Sequence, residues 1–393
     1  MQINKKFADY VKKRRKEGKN SLILYGGRRS TKTYSICQYL LLRAYNEPNL
    51  IVHIHGVSSN QMKLGPYQDM KSIVDGEERF KAVFDFKVSP LEVRNKINNS
   101  RISFNSFATS EGNKGGSCDI LFLNEANNFT KEEFFSLSCN CRDLIIFDFN
   151  PVQKFWISEL YEESDMLHLV FQDNPFLTDL QLEYFRNLKR LAEQPNATSI
   201  DLYNYNVNYL GNYGEISGSV FTKENIKKIK EIPSDVSSYM IFLDPSALRG
   251  ADYFACALTC KDKQGNMYVV DSFSINTGVK QDIAQKCEDW CKNYDVKRLY
   301  VEVNGIIGVS FYEYLINSYR LLPTTSWNSR DNKFQRIIAN YENLTQKTYF
   351  KDTPQNNSFL DQIYTFEQKC EHDDNIDAVN SAYEIAHRKY KVV

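Results

Sequence analysis

The chain has 393 residues, of which 42% are hydrophobic and 25% charged, a composition typical of a folded protein with room for two domains. Basic and acidic residues both number 49, so the overall charge gives no evidence for a nucleic-acid partner and none against a local basic groove. No apolar segment approaches the ~20 residues that span a bilayer, and the N-terminus lacks an apolar signal core. We therefore expect no membrane role. The nine cysteines do not form a secreted disulfide framework in a chain this long, and a reducing, cytoplasmic setting is expected. The close pairs are interpreted as buried thiols rather than as a zinc site: Cys139 and Cys141, Cys256 and Cys260, Cys287 and Cys291.

The first predicted elements are an apolar strand at 22–25, a glycine turn and a helix that begins at Lys32 and Thr33. Such a turn directs backbone N–H groups and the positive end of the helix at one point, and so binds phosphates. Lys32 is then expected at the β- and γ-phosphate oxygens, and Thr33 at Mg²⁺. The P-loop pattern has a glycine just before the lysine, whereas this chain has Thr31 there. The predicted nucleotide-binding residues are Gly26, Gly27, Arg28, Arg29, Ser30, Thr31, Lys32 and Thr33.

Further apolar strands are predicted at 50–57, 120–123 and 144–149. They alternate with helical segments, which is the pattern of a parallel sheet covered by helices. The strand at 120–123 leads into Asn124 and Glu125. In P-loop ATPases the first acid at this point steadies Mg²⁺, and the next carboxylate polarises the attacking water. Glu125 can take the second role, but Asn124 brings no negative charge, which predicts weaker magnesium binding or a site shared with another group. Asn150, after the last of these strands, is placed like a sensor of the γ-phosphate.

Glycine, asparagine and tyrosine cluster between 203 and 218, and this interruption predicts a domain boundary. We predict an N-terminal domain at 1–215, a linker at 216–232 and a C-terminal domain at 233–393. In the second domain, strands in meander order are predicted at 239–243, 254–259 and 267–273, followed by a helix at 283–294 and a strand at 299–303.

Three separated carboxylates mark the second domain. Asp244 ends an apolar strand, Glu302 lies inside another, and Asp377 comes where a helix is predicted to begin. An acid in an apolar strand is unfavourable unless it is paired or bound to a metal. Together they could hold two Mg²⁺ or Mn²⁺ ions ~4 Å apart, one activating water and one stabilising the leaving oxygen. Asp374, on the same helix face as Asp377, is a plausible auxiliary ligand. Weaker candidates, interpreted as a turn acid and a strand-edge acid, are Asp252 and Asp271.

Three segments, taken in order, resemble the large terminase subunit of tailed bacteriophages: GGRRSTKT at 26–33, DILFLNEAN at 119–127 and FDFNP at 147–151. The resemblance continues in QDNPFL at 172–177 and YLGNYGE at 209–215, and the order of the three carboxylates resembles the nuclease of the same family. It implies an α/β fold, with an N-terminal P-loop NTPase domain of mainly parallel sheet and a C-terminal RNase H-like nuclease domain. It also implies that Arg28 or Arg29 acts in cis on the triphosphate, and that Asn150 couples hydrolysis to movement.

The same resemblance implies a DNA-packaging motor that uses ATP and Mg²⁺, with Mn²⁺ as an alternative ion at the nuclease site. Such a chain hydrolyses ATP to move double-stranded DNA into a procapsid, and it cleaves that DNA. The implied partners are the DNA, the portal protein, a small terminase subunit and further copies of the chain in a ring, pentameric by resemblance. The implied location is the host cell cytoplasm.

Two other function classes stay open at the level of sequence. One is an ATPase of DNA repair or transposition, whose RNase H-like half resolves or joins strands. The other is a catalytically degenerate assembly or DNA-tethering protein. The basic run at 11–16 is equally open, as an exposed helix face or as a contact for DNA or nucleotide.

Overall fold

A computed structural model describes residues 3–56, 58–106, 116–216, 218–245, 254–275, 280–329, 333–368 and 373–387. The chain divides into two compact units, Met1–Glu215 and Ile216–Val393. Each unit contains its own β-sheet.

The N-terminal unit is built on an eight-stranded sheet with the order β3-β4-β5-β2-β6-β7-β1-β8. Its strands are β1 (Ser21–Gly26), β2 (Ile51–Gly56), β3 (Phe84–Val88), β4 (Leu91–Asn95), β5 (Arg101–Ser106), β6 (Cys118–Asn124), β7 (Cys141–Phe149) and β8 (Leu167–Leu169). From β5 to β8 all neighbours are parallel, which confirms the predicted mainly parallel sheet. The pairs β3/β4 and β4/β5 are antiparallel. The strand β7 lies between β1 and β6, so three strands deliver their carboxyl ends to one edge.

Helices cover both faces of this sheet. They are α1 (Lys5–Lys16), α2 (Lys32–Asn46), α3 (Ser59–Leu64), α4 (Pro66–Asp75), α5 (Glu78–Lys81), α6 (Lys131–Ser138), α7 (Ile157–Leu160), α8 (Asp179–Ala192) and α9 (Ser199–Asn204). Successive side chains of a strand point to opposite faces. In β1, Leu22 and Leu24 therefore join one hydrophobic core, whereas Ile23 and Tyr25 join the other. Burial on both faces explains why the central strands are continuous apolar runs.

The basic run at 11–16 lies on α1. Arg14 is buried, forms an ion pair with Asp165 and donates a hydrogen bond to the Ser21 hydroxyl at 3.2 Å. The other four basic residues of the run are exposed. Arg14 thus ties α1 to the sheet, and the exposed charges are compatible with both interpretations of the run, a solvated helix face and a contact for DNA or nucleotide.

The C-terminal unit has a seven-stranded sheet with the order β14-β13-β10-β11-β12-β15-β9. Its strands are β9 (Lys227–Ile229), β10 (Tyr239–Asp244), β11 (Phe254–Lys261), β12 (Met267–Ile275), β13 (Val296–Glu302), β14 (Thr324–Trp327) and β15 (Thr348–Lys351). The antiparallel meander β10-β11-β12 agrees with the prediction. The short strand β9 lies within the predicted linker at 216–232 and pairs with β15, so this part of the segment is integral to the second sheet.

The helices of this unit are α10 (Lys280–Asn293), α11 (Ile306–Ser318), α12 (Lys333–Ala339), α13 (Tyr341–Gln346), α14 (Pro354–Ile363) and α15 (Asp374–Ala386). Helix α15 packs against β10 and β11 and is buried along nearly all of its length. That packing brings the start of α15 towards the end of β10. In the parts of the chain that the structure describes, no helix has the length and apolar character needed to cross a membrane.

Candidate functional sites

The turn between β1 and α2 is closely packed around two glycines. Gly26 has a φ of 141°, and a Cβ on it would lie 1.7 Å from the carbonyl oxygen of Leu169. A Cβ on Gly27 would lie 2.3 Å from the carbonyl oxygen of Asn208. Only glycine fits at these positions, because no L side chain could be accommodated without moving backbone.

Two other residues of the loop adopt left-handed backbone conformations. Arg29 has a φ of 58° and Thr31 a φ of 67°, so Thr31 takes the conformation that the missing glycine would adopt freely. For a non-glycine residue this region is unfavourable by roughly 1–2 kcal/mol. Neighbouring asparagines support the loop: Asn174 Nδ2 donates to the carbonyl oxygen of Arg29 at 2.8 Å, and Asn4 Nδ2 donates to Thr31 Oγ1 at 3.3 Å.

The Lys32 ammonium is turned back onto its own loop. Lys32 Nζ donates to the carbonyl oxygens of Gly26 at 2.9 Å and Gly27 at 2.8 Å. It also donates to Ser30 Oγ at 3.1 Å and to Asn150 Oδ1 at 2.9 Å. Burial lowers the pKa of Lys32 to about 8, because the charged form loses solvation. Phosphate oxygens placed in this loop would supply negative charge at hydrogen-bond distance from the ammonium.

A buried carboxylate that the sequence analysis did not select lies beside the P-loop. Asp148 of β7 accepts a hydrogen bond from Thr33 Oγ1, and another from Asn124 Nδ2 at 2.9 Å. The backbone N–H of Glu125 donates to the same carboxylate at 2.8 Å. Burial raises the pKa of Asp148, although these hydrogen bonds oppose the shift. The available signal was an acid within an otherwise apolar strand.

Glu125 lies on the rim of a cavity of about 710 Å³ above the P-loop. Its φ of 57° places it in the left-handed region, and its carboxylate accepts from Gln61 Nε2 at 2.5 Å and from Asn128 Nδ2 at 3.3 Å. The sequence analysis missed Asp69 of α4, which also lines the cavity. Burial and the nearby Asp148 charge raise the pKa of Asp69 to about 6. The predicted residues that line the cavity are Arg28, Arg29, Ser30, Thr31, Lys32, Thr33, Glu125 and Asn150.

In the C-terminal unit, the structure brings the three predicted carboxylates together. Asp244 ends β10 and Glu302 ends β13, two adjacent parallel strands, and Asp377 lies in the first turn of α15. One oxygen from each carboxylate lies within 4.8 Å of the others, and all three side chains are buried. Glu302 Oε1 accepts hydrogen bonds from Asn304 Nδ2 at 2.7 Å and from Ser329 Oγ. Carboxylate oxygens in this arrangement are suitable ligands for hard divalent cations.

Two cations that the sequence analysis missed lie among these acids. Lys333 Nζ is 3.0 Å from Asp374, 3.5 Å from Asp244 and 3.6 Å from Asp377. Arg336 Nη2 donates to Asp377 Oδ1 at 2.7 Å. Burial raises the pKa of Asp377 to about 7, although both cations oppose this shift. Burial also raises the pKa of Asp244 well above its usual value, again against the charge of Lys333. The predicted auxiliary Asp374 therefore pairs with Lys333 at this site.

The two weaker candidates have different outcomes. Asp271 Oδ2 accepts a hydrogen bond from the indole N–H of Trp290 at 2.9 Å, so its role in the structure is to pair with that side chain. Asp252 lies outside the described residues.

Comparison with protein families and solved structures gave matches over both units. A family model for the phage terminase large subunit matches residues 18–212, and one for the ribonuclease H-like domain of the bacteriophage T7 terminase matches residues 243–349. Comparison with curated protein sequences gave no match.

The large terminase of a thermophilic bacteriophage is similar to this chain in fold. One crystal form of that protein has a TM-score of 0.70 at 13% identity, covering 98% of this chain and 99% of the other. The same phage terminase in complex with ATP-γ-S has a TM-score of 0.66, with the same identity and coverage. Both family models describe terminases, and the two-unit α/β architecture agrees with them. The chain therefore belongs to the family of phage large terminase subunits.

Proposed function

We propose that this chain is the motor subunit that hydrolyses ATP to translocate double-stranded DNA into a procapsid, and that it also cleaves this DNA at a two-metal nuclease site. The observation that carries the proposal is that each unit has its own site, with side chains of the types that the proposed reaction needs. The N-terminal unit has Lys32 and Thr33 at the closely packed glycine loop beside the cavity; this loop is the proposed phosphate cradle. The C-terminal unit has a buried trio of carboxylates.

In the ATPase site, Lys32 and the loop N–H groups would hold the β- and γ-phosphates, with Thr33 at Mg²⁺. Glu125 lines the same cavity, and its proposed role is to polarise the attacking water. Arg28 or Arg29 would stabilise the charge that develops on the phosphoryl group. Asn150 accepts a hydrogen bond from Lys32, and its proposed role is to respond when a phosphate replaces it as the partner of that ammonium.

In the nuclease site, Asp244, Glu302 and Asp377 would hold two Mg²⁺ or Mn²⁺ ions, with Asp374 as an auxiliary ligand. The donor set fits such ions because it consists of carboxylate oxygens that come within 4.8 Å of one another. The bound ions would supply an activated water and stabilise the leaving oxygen. Family membership supports the portal protein, a small terminase subunit and other copies of the chain as partners, in the host cell cytoplasm.

Two substitutions test whether the two activities belong to the two sites. Lys32→Ala should abolish ATP hydrolysis measured with DNA and portal present, while Mn²⁺-dependent plasmid cleavage is retained. Asp244→Ala should abolish cleavage and leave ATP hydrolysis unchanged. Matched controls are Lys71→Ala and Asp295→Ala, which remove exposed charges of the same kind from each unit.

Three results would contradict the proposal. Wild-type hydrolysis by Lys32→Ala would remove the assignment of the ATPase site, and wild-type cutting by Asp244→Ala would remove that of the nuclease site. Absence of ATP-dependent DNA entry into portal-bearing procapsids, together with a preference for branched DNA, would indicate a resolvase instead.

A further inference from the structure

The ends of β6 and β7 share a single buried carboxylate. Asn124 and Asp148 are register neighbours on these parallel strands, and Asn124 Nδ2 donates to both Asp148 oxygens, at 2.9 and 3.2 Å. An aspartate at position 124 would place two buried carboxylates within hydrogen-bond distance. Like charges so close cannot both ionise readily. Only one of the two positions can therefore readily hold an ionised carboxylate, and in this chain that residue is Asp148 on β7.

The strand order places that acid next to the phosphate cradle. Because β7 lies between β1 and β6, Asp148 is the register neighbour of Leu24, two residues before Gly26. Asn124 is one strand further away. The Asp148 carboxylate already accepts a hydrogen bond from Thr33 Oγ1, the hydroxyl that binds Mg²⁺ in P-loop proteins.

The charge of Asp148 has no ion-pair partner in the part of the chain that the structure describes. Asp148 is 1% exposed, and the hydrogen-bond donors that contact it there are a hydroxyl, an amide and a backbone N–H, which are all neutral. Lys32 acts on it only at longer range, because its ammonium donates to the loop carbonyls. A buried carboxylate is strongly unfavourable unless a cation compensates it closely. A divalent ion at the adjacent hydroxyl would provide that compensation.

We propose that Asp148 supplies the carboxylate that positions Mg²⁺ beside Thr33, in place of the acid that Asn124 lacks. The inference rests on the proposed ATP site, and it leaves Glu125 as the general base. Asp148 is thus a positioning residue whose removal should weaken ion binding more than nucleotide binding.

The direct test measures ion and nucleotide affinity separately in the full chain. Mn²⁺ binding is followed by electron paramagnetic resonance as the difference between samples with and without ADP, so that ions at the carboxylate trio of the C-terminal unit cancel. ADP binding in EDTA is followed with a fluorescent ADP analogue. The Asp148→Asn variant should bind Mn²⁺ about 10–100-fold more weakly, the range found when groups that support a metal site are removed. Its affinity for metal-free ADP should stay within about twofold of wild type, because the phosphate cradle is unchanged.

If Asp148→Asn folds poorly, the exchanged variant Asn124→Asp/Asp148→Asn tests the proposal instead. It keeps one acid and one amide in the pair. It should regain Mn²⁺ affinity to within about tenfold of wild type, since the acid has moved only across one hydrogen bond. Normal binding of metal-free ADP without Mn²⁺ binding in this variant would overturn the idea of a shared acid.

The matched control is Asp143→Asn, which removes an exposed carboxylate of the same strand, β7, whose partner is Arg43. It should leave Mn²⁺ affinity near the wild-type value. A larger loss in Asp143→Asn than in Asp148→Asn would overturn the proposal, and so would equal losses of Mn²⁺ and metal-free ADP binding in Asp148→Asn. If Lys32→Ala leaves ADP affinity unchanged, the proposed ATP site itself fails, which is a separate result.

Discussion

At the scale of single residues, His55 gives the N-terminal unit a built-in sensitivity to acid. It lies in β2, is 2% exposed, and its Nδ1 has no hydrogen-bond partner among the described residues. Burial, and then the charge of His53, lower the pKa of His55 to about 4. Between that value and its usual pKa near 6.5, the unfolded chain binds more protons than the folded one.

His55 should therefore leave the free energy of unfolding unaffected above pH ~6.5 and lower it by about 3 kcal/mol as the pH falls towards 4. Asp69, whose pKa is raised to about 6, acts in the opposite direction over part of the same range, so the prediction concerns the difference between wild type and a His55 variant. The variant His55→Phe keeps a ring of similar size and should remove the His55 contribution from the profile. Unfolding by urea can be followed through Trp156 in a chain with Trp290→Phe and Trp327→Phe, since these are the chain's three tryptophans. An unchanged pH slope in His55→Phe would assign the effect to other groups.

Residues whose role depends on a local motif were predicted from sequence, whereas those whose role depends on a distant partner were not. Glu125 follows a recognisable strand, and Lys32 a recognisable turn. Asp148 was missed although it is an acid in an apolar strand, the same signal that selected Glu302. Lys333 was missed because its acidic partners are distant in sequence; the separation from Asp374, for example, is 41 residues.

At the scale of secondary-structure elements, the contact of β1 with β8 leaves no room for a side chain at Gly26. β8 runs parallel to β1, and Gly26 is the register neighbour of Leu169. The Gly26→Ala variant should lose both nucleotide binding and several kcal/mol of stability, because the new Cβ would meet backbone that cannot move away as a side chain can.

The comparison variant is Gly76→Ala at the end of α4. There a Cβ would have ordinary contacts of 3.5 and 3.6 Å, and the φ of −85° suits any residue. Urea titration and ADP binding measured on both variants check the prediction. Equal effects of the two substitutions would show that the β1–β8 contact tolerates more than its geometry indicates.

Some of the longer elements were predicted from their apolar patterns, because a fully buried strand or a half-buried helix leaves a regular signature. The long helices α8 and α11 were not predicted. The predicted strand at 239–243 corresponds to β10, and the predicted helix at 283–294 to α10. The short strands β8, β9 and β15 have three or four residues each, too few for a pattern. The strands with which they pair depend on the surrounding sheet, and this cannot be predicted from their own residues.

At the scale of the whole molecule, each unit has a hydrophobic core made from its own residues. A ligand stabilises the state that binds it, by about 2.7 kcal/mol at a concentration 100 times its Kd. We therefore expect MgADP to raise the thermal transition reported by Trp156, and Mn²⁺ without nucleotide to raise the one reported by Trp290 and Trp327.

The measurement is a fluorescence melt of two chains, one with Trp156→Phe and one with both other tryptophans replaced by Phe. Lys32→Ala should remove the first shift only, and Asp377→Ala the second only. A shift of both transitions by either ligand would show that the two units unfold as one cooperative block.

The Lys333 ammonium lies among the acids of the C-terminal unit, in the region where a metal ion is proposed to bind. Asp244, Asp374 and Asp377 would repel one another strongly if they were all charged and alone, yet Lys333 and Arg336 offset part of this negative charge inside the folded chain. The cluster can consequently fold before any metal is present. A divalent ion bound at the proposed nuclease site would displace the Lys333 ammonium, and the net positive charge added to the cluster would then be smaller than the charge of the ion.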